Sequence, residues 1–156
     1  MNTHAQKGFT LLETIVVMLI AATVAAMGAP KLSSALRQRS VTSAADQFVA
    51  VHSLARSTAL RTGRVAQLHI DASTKRIWVD VDTSANGVGQ RATVSYIRDL
   101  SSNGVTLVSN RSVLCFDARG AATTGGACEA GNIAITFNDA DKSAALSATA
   151  LGKILR

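Results

Sequence analysis

Aromatic residues are scarce in this 156-residue chain: one Trp, one Tyr and four Phe make up 4 % of it. A core of stacked large rings is excluded, and the many Ala, Ser and Thr residues point instead to a small, alanine-rich β core. Cysteine is scarcer still. Cys115 and Cys128 lie outside the CxxC spacing of redox centres, and two thiolates alone cannot complete a zinc site. The three histidines, His4, His52 and His69, have no nearby Ser/Asp or metal-ligand pattern, so no general-base or nucleophilic constellation forms around them. Gly120, Gly125, Gly126 and Gly131 are not followed by the lysine and Ser/Thr of a phosphate-binding loop. An enzyme, a metal and a cofactor are therefore all unexpected. A second domain, an internal repeat and a long low-complexity linker are also missing, and Asn110-Arg111-Ser112 matches only the short, common glycosylation sequon.

Charge is absent from one long stretch, and that absence is informative. Thr14 to Ala29 carries no formal charge, and Pro30 and Lys31 close the run. As a helix, Phe9 to Pro30 covers roughly 30 Å, the thickness of a bilayer hydrocarbon core. At its head stands Lys7-Gly8-Phe9-Thr10-Leu11-Leu12-Glu13, with a lone carboxylate five residues after a glycine. Such a group inside an apolar helix costs a few kcal/mol and is usually partnered. The positive end of the helix dipole favours it in the first turn.

A secretory signal places its cleavage site after the apolar core, so that the core is lost. Here the short polar leader Met1 to Gly8 precedes the apolar stretch, which resembles the prepilin leader of type IV pilins and type II secretion pseudopilins. That resemblance implies cleavage by a prepilin peptidase between Gly8 and Phe9, N-methylation of Phe9, and a pairing of Glu13 with the α-amino group of a neighbouring subunit. It also implies a single-pass inner-membrane protein with a periplasmic head, moving into a pilus or pseudopilus on assembly. Lys7 before the span and Lys31, Arg37 and Arg39 after it favour the opposite orientation by charge alone. Recognition of the leader takes precedence over that bias.

Beyond Pro30, which is expected to bend the helix, Leu32, Leu36, Ala44, Phe48, Val51, Ala55 and Ala59 recur at helical spacing. Gly63 is placed to cap the helix end. From Val65 the period becomes two. Ala66, Leu68 and Ile70 and then Ile77, Val79 and Val81 predict two adjacent strands around the turn 71–74, with further strands at 93–98, 105–109, 113–116, 133–137 and 144–148. Trp78 is expected to be a packing aromatic.

The helix end Ser53-Leu54-Ala55-Arg56-Ser57-Thr58-Ala59-Leu60-Arg61-Thr62-Gly63, followed by Trp78 after the first hairpin, resembles the GspH/FimT group of minor pilins and pseudopilins. Leu114-Cys115-Phe116-Asp117-Ala118-Arg119-Gly120 is similar to that group's central strand and glycine turn. The implied fold is α+β and pilin-like, a long N-terminal helix on an antiparallel β-sheet head. Its segments are a leader (1–8), a membrane and filament-core helix (9–30), an amphipathic stem (31–63) and the head (64–156). In an oxidising compartment Cys115 and Cys128 are expected to form a disulfide, contributing on the order of 3 kcal/mol by loop closure.

The net charge of +6 concentrates in the stem: eight basic residues meet two acidic ones from Lys31 to Arg76, and seven meet seven from Ile77 to Arg156. A solvated or polymer-packed helix face accounts for this as well as DNA does. FimT-like pilins linked to DNA uptake carry a C-terminal G-R-x-R motif, which Leu151-Gly152-Lys153-Ile154-Leu155-Arg156 resembles in part. Lys153 and Arg156 are the candidate contacts to double-stranded DNA. The expected function is a minor pilin packed with other pilins in a type IV pilus, or priming its assembly, with DNA capture during natural transformation as an added role. The alternative is a type II secretion pseudopilin.

Overall fold

The computed structural model describes residues 9–84, 90–94, 96–125, 128, 132–149 and 153–155. Gly8, the residues before it and Arg156 lie outside the described residues. Contacts divide the chain into two compact units, Met1–Leu36 and Arg37–Arg156.

Helix α1 (Leu11–Thr62) begins in the first unit and ends in the second. It runs on through Pro30, which forfeits one backbone hydrogen bond because it has no N–H. In the first unit the apolar side chains are exposed, and the helix is long and apolar enough to cross a membrane. Its hydroxyls turn inward to the backbone. Thr14 Oγ1 donates to the Leu11 carbonyl at 2.8 Å and Thr23 Oγ1 to that of Ile20 at 2.8 Å. Such back-bonding spares a helix unsatisfied donors where water is scarce.

In the second unit α1 buries Val41, Ala44, Ala45, Phe48, Val51, His52, Ala55, Thr58 and Ala59. The predicted face is thus corrected at its start. Leu32 and Leu36 share its spacing but are exposed, because they precede the first helix residue the strands cover. Helical period reports which residues share a face and says nothing of where the packing partner begins. Gly63 ends the helix as expected, with φ +66° and its N–H on the Ala59 carbonyl at 2.9 Å.

The strands are β1 (Ala66–Asp71), β2 (Arg76–Asp82), β3 (Arg91–Thr93), β4 (Arg98–Asp99), β5 (Thr106–Ser109), β6 (Val113–Phe116), β7 (Ala122–Thr123), β8 (Ile133–Asp139), β9 (Lys142–Ala148) and β10 (Ile154–Leu155). One antiparallel sheet is ordered β3-β2-β1-β6-β7, with β4 also on β2, and the other β10-β9-β8-β5. The inner faces of both sheets and the buried side of α1 share one core. Leu68, Ile77, Val79, Phe116, Ile133, Ile135 and Phe137 lie at its centre with Phe48.

The predicted strand at 93–98 divides into β3 and β4, which pair with opposite ends of β2. β7 and β10 are two residues each, too short to carry an alternation. Two of the motif residues noted above meet across the core edge. Gly120, at φ +74°, turns the chain after β6 directly against α1, where an added Cβ would stand 3.2 Å from Arg56 and Leu60 side-chain atoms. Arg56 and Gly120 therefore act as a packing pair.

Candidate functional site

The first turn of α1 is capped by Thr10. Its Oγ1 accepts the Glu13 N–H at 3.3 Å, and its carbonyl accepts the N–H groups of Glu13 and Thr14 at 3.1 and 3.2 Å. Thr10-Leu11-Leu12-Glu13 is a T-x-x-E capping sequence, a helix-start signal carried by the sequence itself. In the full capping box the glutamate reaches back to the cap N–H. Among the described residues no hydrogen bond or ion pair engages the Glu13 side chain, so its carboxylate stays open. Phe9 stands beside the cap with 78 % of its surface exposed. Between Leu11 and Ala29 the only polar side chains are Glu13, Thr14 and Thr23. Both threonines bond to the backbone, which leaves Glu13 as the single polar side chain of the apolar helix without a partner among the described residues.

In the head, Cys115 on β6 is bonded to Cys128, with Cα atoms 5.5 Å apart. The sulfur of Cys128 accepts the amide Nε2 of Gln67 on β1 at 3.5 Å. Lys153 is exposed just before β10, with its N–H on Thr149 Oγ1 at 3.3 Å. Arg37, one of the stem cations, faces Asp141 at 3.8 Å.

The histidines form no catalytic arrangement among the described residues. His69 and Trp78, directly opposite on β1 and β2, stack at 4.9 Å, and the Trp78 indole N–H donates to Asp80 at 3.3 Å. His69 Nε2 lies 3.2 Å from Asp80 Oδ2 without the alignment of a hydrogen bond. Burial, and secondarily Arg91, outweigh Asp80 and lower the His69 pKa. Trp78 thus fills the packing role expected of it.

His52 is buried against Phe48 and Phe116, its ring edge-on to Phe116 at 5.0 Å, and its Nε2 has no partner among the described residues. Burial first and Arg56 second lower its pKa from 6.5 to about 4. The folded state holds His52 neutral while the unfolded chain takes up a proton near pH 6.5. Stability from this residue is therefore complete above pH 6.5 and is lost as pH falls towards 4. The loss should reach about 3 kcal/mol. Urea midpoints should drop between pH 7.5 and 4.5, and the drop should shrink markedly in His52→Leu; an equal drop in that variant would contradict the assignment.

A model of the prokaryotic N-terminal methylation motif matches residues 3–29, and one described as type II transport protein GspH matches residues 44–152. No protein of curated function matches the chain in sequence. Among solved structures, the type IV minor pilin FimU of Pseudomonas aeruginosa strain PAO1 superposes with a TM-score of 0.55 at 18 % identity, covering 74 % of this chain and 86 % of that one. The minor pseudopilin EpsH from the type 2 secretion system of Vibrio cholerae gives 0.56 at 16 % identity, covering 74 % and 94 %. At such identities these likenesses establish the fold: a long N-terminal helix packed on antiparallel sheets.

Proposed function

For a chain that belongs to the GspH family and is a minor pilin or pseudopilin, we propose incorporation into a type IV pilus, anchored in the inner membrane until assembly. The observation that carries this reading is the open carboxylate of Glu13 on an otherwise self-satisfied, exposed apolar helix. An apolar helix with one uncompensated charge is suited to a bundle of like helices in which a cation meets that charge. Cleavage after Gly8 would create such a cation, the α-amino group of Phe9, four residues from Glu13 in each subunit. Within one helix that amine is held near its own first turn; between axially offset subunits it can meet a neighbour's Glu13.

Mass spectrometry of the membrane-extracted protein tests the processing step. The expected N-terminus is methylated Phe9; an intact Met1, or loss of the whole apolar segment, would overturn the proposal. The type II secretion pseudopilus is the second reading, favoured by the description of the family itself. A deletion strain separates the two, since one outcome is loss of surface pili and the other is loss of secreted proteins.

DNA capture is a further role of the same filament, supported by the exposure of Lys153. Two phosphate contacts give a log-log salt slope of roughly −1.8 per subunit, so binding by one chain is weak and depends on avidity. Removing the charges of Lys153 and Arg156 together should abolish duplex binding by the full chain in detergent. Unchanged binding would sink the C-terminal version.

A further inference from the structure

The outer face of the first sheet contains a groove of about 560 Å³ at the end where α1 gives way to β1, and Cys128 lines it. The two halves of the disulfide stand at different depths. Cys115 lies directly opposite Gln67 in the β1–β6 pairing, and both are buried, with 0 % and 3 % of their surfaces exposed. Cys128 lies across that pair and is only half-buried. Its sulfur accepts the Gln67 amide N–H at 3.5 Å, a donor that stabilises charge on that sulfur when the bond opens. Arg64 and Arg91 line the same groove, and among the described residues Asp82 is the one carboxylate that lines it with them. A partly exposed sulfur in positive surroundings is the setting in which thiolates form and react, whereas a buried sulfur is inert.

We propose that Cys128 is the exchanging sulfur of this disulfide, attacked by a thiol carried on a short peptide that enters the groove, and that Cys115 is its resolving partner. In the forward step the incoming thiolate bonds to Cys128 Sγ, the Cys115–Cys128 bond breaks, and its electron pair leaves on Cys115 Sγ, which takes a proton from water. In the reverse step Cys115 attacks the mixed disulfide on Cys128 and releases the peptide thiolate. Sulfur oxidation is conserved in both steps, so neither needs a further oxidant or reductant. The opposite assignment fails on access, since an attack on Cys115 would have to reach a residue with no exposed surface. A groove of this volume admits a ligand the size of a tripeptide. The inference concerns the head and is independent of the pairing proposed for Glu13.

Glutathione, a tripeptide thiol, is the probe. The full chain in detergent is exposed to it briefly, quenched in acid, blocked with N-ethylmaleimide and cut with trypsin, which places Cys115 on the peptide Ser112–Arg119 and Cys128 on Gly120–Lys142. Mass spectrometry should find glutathione on the Cys128 peptide in at least about tenfold excess over the Cys115 peptide. In urea, where the groove is gone, the two adducts should approach equal amounts. Comparable adducts on the folded chain, an excess on Cys115, or the same excess in urea would each overturn the proposal. So would a folded chain that resists glutathione while the unfolded chain reacts. Cys115→Ala removes the resolving thiol, so its Cys128 should take up glutathione from glutathione disulfide and keep it. If that variant folds, by circular dichroism, and stays unmodified, the assignment is refuted; the wild-type measurement does not depend on its folding.

Discussion

Glu13→Ala is expected to leave the chain in the membrane at wild-type level and to reduce its share of sheared filaments by about a hundredfold. Insertion is spared and assembly is lost because the carboxylate has opposite roles in the two environments. In a lone helix crossing a bilayer a charge costs up to about 3 kcal/mol, less near the end of the helix, so its removal does not impair insertion. In a filament core a buried carboxylate paired with an ammonium is a different case. Deleting one partner strands the other without compensation, typically at a cost of about 3–5 kcal/mol. Three kcal/mol corresponds to more than a hundredfold in an equilibrium constant.

Quantifying the protein in membrane and sheared-filament fractions of the same cells reads both effects. Glu13→Gln separates charge from shape: it retains the side-chain volume and should fail nearly as completely as alanine. Normal incorporation of either variant would dismiss the pairing role. Thr10 adds a control. Thr10→Ala removes the cap that Thr10 Oγ1 provides to the Glu13 N–H but keeps the carboxylate, so it should disturb assembly far less than Glu13→Ala.

The second large effect is on the stability of the head. Replacing both Cys115 and Cys128 with alanine should lower it by about 3 kcal/mol, from the loop-closure entropy of a thirteen-residue separation. For a unit of this size the thermal midpoint should fall on the order of 10 °C. Cys115 is fully buried on β6, so its replacement by alanine also removes a packed sulfur. Loss of Cys128 withdraws the acceptor that orients Gln67. Scanning the wild-type chain with and without a reductant provides the same comparison without mutation. A midpoint unmoved by reduction would show that the loop is held by other contacts.

Much of the architecture was legible from local pattern. The uncharged run, its leader and its lone carboxylate are contiguous in sequence, and β1 and β2 alternate cleanly on either side of an Asp-based turn. That turn forms as its residues suggest: Asp71 accepts a bond from the Ser73 hydroxyl first of all, and others from Thr74 and from the N–H groups of both residues, which together hold its carboxyl well below the usual range. Gly63 was legible because only a residue tolerant of positive φ ends a helix in this way. Gln67 was not. In the sequence it is the polar member of an alternating strand and reads as solvated. It is buried because Cys128, distant along the chain, is carried over it by a disulfide whose pairing the sequence could suggest but not place.

By itself the sequence determined the apolar run, the long helix, the first hairpin and the family, because each rests on neighbouring residues and on periods of two or of three to four. Tertiary structure decided where the helix begins to be buried, how the 93–98 stretch divides between two ends of β2, why Gly120 must lack a side chain beside Arg56, and why Gln67 is buried beneath Cys128. Those outcomes depend on contacts between residues far apart in the chain. The free energy of such contacts is set by what the fold brings across, which no local pattern contains.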